Sequence, residues 1–212
     1  AMDPQQRMLL ECGYEALTRA GCRRSDLAGS DTAVYIGITN VDFKSVLDGD
    51  NSVYAATGAA LSIAAGRLSF VLDLRGPCLT LDTACSSSLA AVHVARTGAA
   101  PLSLVASASL LLTPTMSVAY ARAGMLSVDG RCKTFDSRAN GYVRGEGCGA
   151  VVLETDGRGG MQCRATAVQQ DGRSASLTAP NGSAQRRLLE RAHADAGLAL
   201  GDLGHLETHG TG

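Results

Sequence analysis

The sequence has no tryptophan, and aromatic residues make up only 4% of it. Its core must therefore be built from aliphatic and small side chains packed closely together. Neither charge is in excess: 19 Lys and Arg stand against 20 Asp and Glu, for a formal net charge of −1, and no basic block occurs. That balance gives no support to a nucleic-acid groove or an anionic-membrane surface. No apolar run is long enough to span a bilayer, because the most apolar stretch, near 52–72, is interrupted by Arg67. The opening residues, AMDPQQRMLLECGY, lack the charged-then-apolar layout of a signal segment.

The seven cysteines, at 12, 22, 78, 85, 132, 148 and 163, contain no C-x-x-C pair. This argues against a zinc site and against a disulfide framework in a domain of this size. Most of them are expected to be small buried hydrophobes, in a reducing, cytoplasmic setting. No G-x-S-x-G stands anywhere, so a serine-hydrolase elbow has no basis. No cofactor and no metal are expected.

What the 212 residues do contain is a 45% apolar fraction and alternating strand and helix signals. Asp3 as N-cap and Pro4 at the first helical position open a helix that closes on Gly21. TAVYIGIT (32–39) is a continuous β-branched run, as in a strand covered on both faces. Residues 55–72 place Leu61, Ala64, Ala65, Leu68 and Leu72 at helical spacing. Next come a strand at 78–82, a buried helix after Cys85, a strand at 102–112 and a short helix at 117–124. A turn-rich stretch at 126–147 precedes strands at 149–154 and 163–170. A helix at 184–197, capped by Ser183 and stopped by Gly197, leads to a final strand and turn in HLETHGTG (205–212). Without a repeat or a linker, the chain reads as one unit. The pattern predicts an α/β fold with a mostly parallel sheet flanked by helices, and chemistry at its strand ends.

LTLDTACSSSLAAVHVA (79–95) places one thiol at a strand-to-helix junction among small residues. Only the thiolate attacks carbonyls well. A helix N-terminus favours an anion by about 0.5–2 kcal/mol, roughly half to one and a half pKa units. Ala84, Ser86 and Ser87 leave the approach open and backbone N–H groups available to an oxyanion. A buried structural cysteine remains the alternative. Of the four histidines, His93 reads as a core residue on the same helix and His193 as solvated among charges. His205 begins the last strand and stays ambiguous. His209, in ETHGTG at a strand end, is the best partner for Cys85.

DTACSSSL together with ETHGTG resembles the β-ketoacyl synthase family, and more narrowly the ketosynthase domain of type I polyketide synthases. MDPQQR (2–7), TGAALSIAAGRLSF (57–70), KTFDSRANGYVRGEG (133–147) and LTAPNGSAQ (177–185) resemble further stretches of it, in order. LTAPNG and HGTG point to the type I branch over the free-standing bacterial elongation enzymes. The resemblance implies a thiolase-like fold and decarboxylative Claisen condensation in polyketide biosynthesis. By that resemblance Cys85 would carry the acyl chain, and His209 would stabilise the enolate of a malonyl-type extender. The implied partner is an acyl carrier protein bearing acyl- or malonyl-phosphopantetheine, and the full domain is expected to be a homodimer.

Two departures stand out. In the family a second active-site histidine, its lysine and a glycine-rich loop lie beyond the position of Gly212, so residues 1–212 are expected to be a partial ketosynthase domain. The stretch from Cys85 to Pro114 is also about four residues shorter than the family pattern, around Ala95–Ala100, which is close to one helical turn. A rival reading is a non-catalytic ketosynthase-like module for dimerisation or carrier docking. The presence of both Cys85 and His209 argues against it. Neither Ser86–Ser88 as a hydrolase site nor a cysteine-protease site has a supporting signature.

Overall fold

A computed structural model of the chain describes residues 2–47, 49, 52–157 and 160–210. The chain divides into two compact units, residues 1–132 with 140–158 and residues 133–139 with 159–212, where the sequence alone reads as one.

In the first unit, helix α1 (Pro4–Arg19) is capped by Asp3, whose carboxylate accepts from Gln5 N at 2.8 Å. A short helix α2 (Arg24–Leu27) leads to strand β1 (Ala33–Gly37), which is buried throughout. Helix α3 (Asp42–Val46) follows. The helical stretch near 55–72 is two helices, α4 (Ala55–Ala59) and α5 (Leu61–Leu72), broken at Ala60, which is extended. The break has a tertiary cause. Asp3 N donates to Gly58 O, and Gln6 Nε2 donates to the carbonyls of Thr57 and Ala60, so carbonyls at the break serve other partners. Strand β2 (Cys78–Leu81), helix α6 (Ser87–Thr97), strand β3 (Leu102–Ser109), helix α7 (Thr115–Arg122) and strand β4 (Gly147–Glu154) complete the unit.

The four strands lie in the order β2-β1-β3-β4. β1 pairs in parallel with β2 and β3, and β4 runs antiparallel to β3. This is the expected mixed, mostly parallel sheet. Side chains alternate across it. Val34, Ile36, Leu104, Ala106 and Ala108 face a core completed by Leu9 and Leu17 of α1 and Ala64, Ala65, Leu68 and Leu72 of α5. Ala33, Tyr35 and Val105 pack on the other side with Ala91 and Ala95 of α6.

Helix α6 is buried along one stripe only, through Ser87, Ala90, Ala91 and Ala95, whereas Leu89 is 73% exposed. The fully buried helix expected from its composition is therefore half covered. The cysteines also depart from expectation: Cys78, Cys85, Cys132 and Cys163 are exposed, Cys12, Cys22 and Cys148 are half-buried, and none of the seven is in a disulfide. Cys78 lies on β2, an edge strand whose first two residues are exposed, and Cys132 lies in the turn-rich stretch.

The second unit contains helix α8 (Gly182–Ala196) and a 3₁₀ turn at Leu200–Asp202. The cap of α8 is Asn181 rather than Ser183. Its Oδ1 accepts from Ala184 N, while Asp171 holds Asn181 by accepting from its backbone N and its Nδ2. Neither 163–170 nor 205–210 forms a strand. A β-prone segment needs a neighbouring strand to take its ladder bonds, and among the described residues of this unit there is none.

Candidate functional site

Cys85 sits at the corner between β2 and α6, two residues before the helix begins, and its thiol is exposed. The corner is sharp because Ala84 takes a left-handed conformation, φ 55°. Such a backbone is unfavourable for a residue with a Cβ and persists only where its surroundings impose it. Here several hydrogen bonds do so. Asp82 Oδ1 accepts from Ala84 N at 3.0 Å. Ser87 Oγ accepts from Thr83 N at 2.8 Å and donates to Ala84 O at 2.7 Å. Ser86 Oγ donates to Thr83 O at 2.8 Å. The serines after the cysteine are thus the clamps of the turn, and the thiol they present is left free of the sheet.

The helix can approach the sheet this closely because residue 37 has no side chain. A Cβ on Gly37 would lie 2.7 Å from the Ser87 carbonyl carbon and 2.8 Å from Ser107 Oγ. Beside the corner opens a cavity of about 280 Å³, lined by Cys85, by Gly37 at the end of β1 with Ile38 and Thr39 beyond it, and by the end of β3 (Ser107–Ser109). It lies at the carboxyl ends of parallel strands, where ligand sites of such sheets form.

Side-chain amides and carboxylates fix these strand ends, and sequence reasoning missed them. Gln5 Nε2 donates to Asn40 O at 3.0 Å, and its Oε1 accepts from Leu110 N at 3.2 Å, so one side chain joins the segments leaving β1 and β3. Asn40 Nδ2 also donates to Leu110 O, and Asp42 Oδ2 accepts from Thr113 N at 3.1 Å. Leu111 N donates to Glu146 Oε1 at 2.7 Å. The only signal available in sequence was the presence of two adjacent glutamines at the start of an otherwise apolar helix face.

A second cluster reaches the same corner. Arg144 stacks over the Tyr120 ring, 5.3 Å from its centroid, and donates to Ser117 Oγ at 2.8 Å. Burial and then Tyr120 push the Tyr142 hydroxyl above its ordinary range, Arg144 pulls it back, and the Cys85 sulfur adds a smaller upward push. Tyr142 is therefore within electrostatic reach of the thiol.

Among the histidines, His93 is half-buried on α6. His193, expected to be solvated, has its Nδ1 buried without a hydrogen-bond partner. His205 pairs with Glu207 at 3.5 Å. His209 is exposed and belongs to the second unit, whereas Cys85 belongs to the first. Next to it, Gly210 has φ 72°, and a Cβ there would lie 2.3 Å from Thr134 Cγ2. The glycine after this histidine is thus required both by conformation and by space. Among the described residues, no three His, Cys, Asp or Glu are placed to hold a metal ion. No described helix is long and apolar enough to cross a membrane.

The exposed thiol thus stands on a clamped corner and borders a cavity at the strand ends. The family model "Beta-ketoacyl synthase, N-terminal domain" matches residues 1–158, and "Beta-ketoacyl synthase, C-terminal domain" matches residues 161–212. A component of the phenolphthiocerol/phthiocerol polyketide synthase of Mycobacterium tuberculosis is 46% identical over 228 residues, covering all of this chain and 10% of that protein. The polyketide synthase component of lovastatin nonaketide synthase from Aspergillus terreus is 45% identical over 231 residues, with 8% of its length covered. The chain thus spans about a tenth of these curated relatives. Among solved structures, the ketosynthase from module 6 of the bacillaene synthase from Bacillus subtilis superposes with a TM-score of 0.86 at 35% identity. That match covers 99% of this chain and 38% of the other. An oxazolomycin ketosynthase domain from Streptomyces albus gives 0.88 at 34%, covering 100% and 39%. The fold is thiolase-like, and the chain belongs to the β-ketoacyl synthase family.

Proposed function

We propose that this chain is part of a polyketide synthase ketosynthase domain, with Cys85 as the acyl-carrying nucleophile and His209 as the group that stabilises the enolate. The observation that carries this reading is the exposed Cys85 thiol on its strained corner, open to the cavity at the strand ends. Cys85 Sγ attacks the carbonyl of an acyl thioester on the phosphopantetheine arm of an acyl carrier protein. A C–S bond to Cys85 forms, the bond to the pantetheine sulfur breaks, and the departing thiolate takes up the proton that Cys85 gives up. The backbone N–H of Cys85 supplies part of the hold on the tetrahedral oxyanion. A malonyl-type extender on a carrier then loses CO₂. His209 donates to the developing enolate oxygen, and the enolate carbon attacks the acyl carbonyl. The Cys85 thiolate leaves, and the product is a 3-ketoacyl thioester on the carrier.

Family membership supports this chemistry, and so does the retention of both motif residues. The clamp of serine hydroxyls and the glycine at position 37 serve it by aiming the thiol. A homodimeric domain working in the cytoplasm fits the same reading. The test is product formation by the full-length protein that carries this chain, loaded with an acyl thioester and given malonyl-carrier. Release of CO₂ matched one for one by 3-ketoacyl product is expected. Acyl hydrolysis or CO₂ release without a new C–C bond would overturn the assignment.

A further inference from the structure

The cavity beside Cys85 contains a hydroxyl that the proposed chemistry does not use. Ser107 lies near the end of β3 and lines the cavity, and its Oγ is buried with no hydrogen-bond partner. The contrast with its neighbours is informative. The hydroxyls of Ser86 and Ser87 are both consumed in holding the corner. Ser107 Oγ instead packs against residue 37, at 2.8 Å from where a Cβ would stand. A hydroxyl removed from water and left unpaired destabilises a fold. Alanine would fill the same place on the strand without that penalty, so the hydroxyl needs another reason to be there.

The side chain is only half-buried as a whole, because it borders the cavity. Serine has three staggered positions about its Cα–Cβ bond, and changing from one to another moves Oγ a short way on a fast timescale. Such a turn offers the hydroxyl a position other than its unpaired place against Gly37. Ser107 belongs to the strand wall of the cavity and Cys85 to the helix wall. A group attached to Cys85 and lying in this cavity has Ser107 in its wall.

Resting on the assignment of Cys85 as the acyl carrier, we propose that Ser107 is a specificity-determining residue whose hydroxyl pairs with an oxygen on the acyl chain. The site then favours a short 3-hydroxyacyl group over its saturated counterpart. A saturated chain leaves Ser107 unpaired, whereas a 3-hydroxyl satisfies it, and sites built around such a pairing discriminate against the analogue that lacks it. No new covalent step is involved: the thioester exchange at Cys85 is the one given above.

The test compares butanoyl and 3-hydroxybutanoyl N-acetylcysteamine thioesters as acyl donors to the full-length protein, with Cys85 occupancy followed by peptide mass. The native protein is expected to take the 3-hydroxybutanoyl group about five- to tenfold faster, the range of one neutral buried hydrogen bond. Ser107→Ala should bring the ratio of the two rates close to one. Ser107→Cys, nearly the same size but a weaker donor, should give an intermediate ratio and guards against a change caused only by repacking. Equal rates in the native protein, or a preference that survives Ser107→Ala, would overturn the role of Ser107 while leaving Cys85 as the acyl carrier. If neither donor labels Cys85, the assignment of Cys85 fails and this inference fails with it.

Discussion

Replacing Gly37 with alanine is the smallest change that attacks the placement of the nucleophile. The added Cβ would stand 2.7 Å from the Ser87 carbonyl carbon and 2.8 Å from its oxygen, well inside the 3.4 Å at which ordinary contact begins. The obstacle is backbone in the first turn of α6, and Ser87 is also the clamp that holds Thr83 and Ala84, so it has no room to yield alone. The start of α6 must move off the sheet by roughly 0.7 Å, and Cys85 must move with it. Overpacking of this kind destabilises by about 1–3 kcal/mol, and a displacement approaching 1 Å at a reacting atom lowers a rate by up to about 10²-fold. Urea unfolding reads the first quantity, and thioester acylation of Cys85 in the full-length protein reads the second. Gly37→Ala should show both losses. Unchanged stability together with an unchanged acylation rate would refute the claim that this contact seats the helix.

Further outcomes follow from other parts of the chain. Gln5→Ala leaves Asn40 O and Leu110 N without their partner and should destabilise the protein by about 2–4 kcal/mol in urea unfolding. His209→Ala in the full-length protein should abolish CO₂ release from the extender while Cys85 acylation continues; parallel loss of both would contradict its assigned role. Burial and the hydrogen bond that its protonated thiol makes to Cys12 push Cys148 up to about 12. Its folded value lies above the ordinary one near 9, so the stability it contributes is present below pH 9 and is lost as pH rises toward 12. At pH 8.5 iodoacetamide should therefore modify Cys85 well before Cys148, as peptide mapping would show.

Local signals were sufficient where one element carried its own punctuation. Asp3 and Pro4 define the start of α1, and the β-branched run at 32–39 contains β1. The spacing of Ala64, Ala65, Leu68 and Leu72 finds the buried face of α5. The corner at Cys85 was legible because its motif is contiguous. What the sequence hid depends on partners far along the chain. Gln5 bonds Leu110 across 105 positions, and the helix break at Ala60 depends on donors from Gln6. The β-prone segment 163–170 has strand composition but no strand to pair with among the described residues of its unit, so composition alone misplaced it. Asn181 displaces Ser183 as the cap of α8 because Asp171 already holds it. Ser107 reads in sequence as one more small residue in an apolar strand, and only the unpaired position of its hydroxyl beside Cys85 distinguishes it.

The claim on which the rest depends is that Cys85 becomes acylated. The most direct measurement is to expose the full-length protein to an acyl thioester, digest it, and locate the added mass among its cysteine peptides, with Cys85→Ala alongside. One thioester-linked acyl group is expected on the peptide containing Cys85, and none at that mass in the variant. Undiminished labelling in Cys85→Ala, or an acyl group found on another cysteine of the native protein, would contradict it.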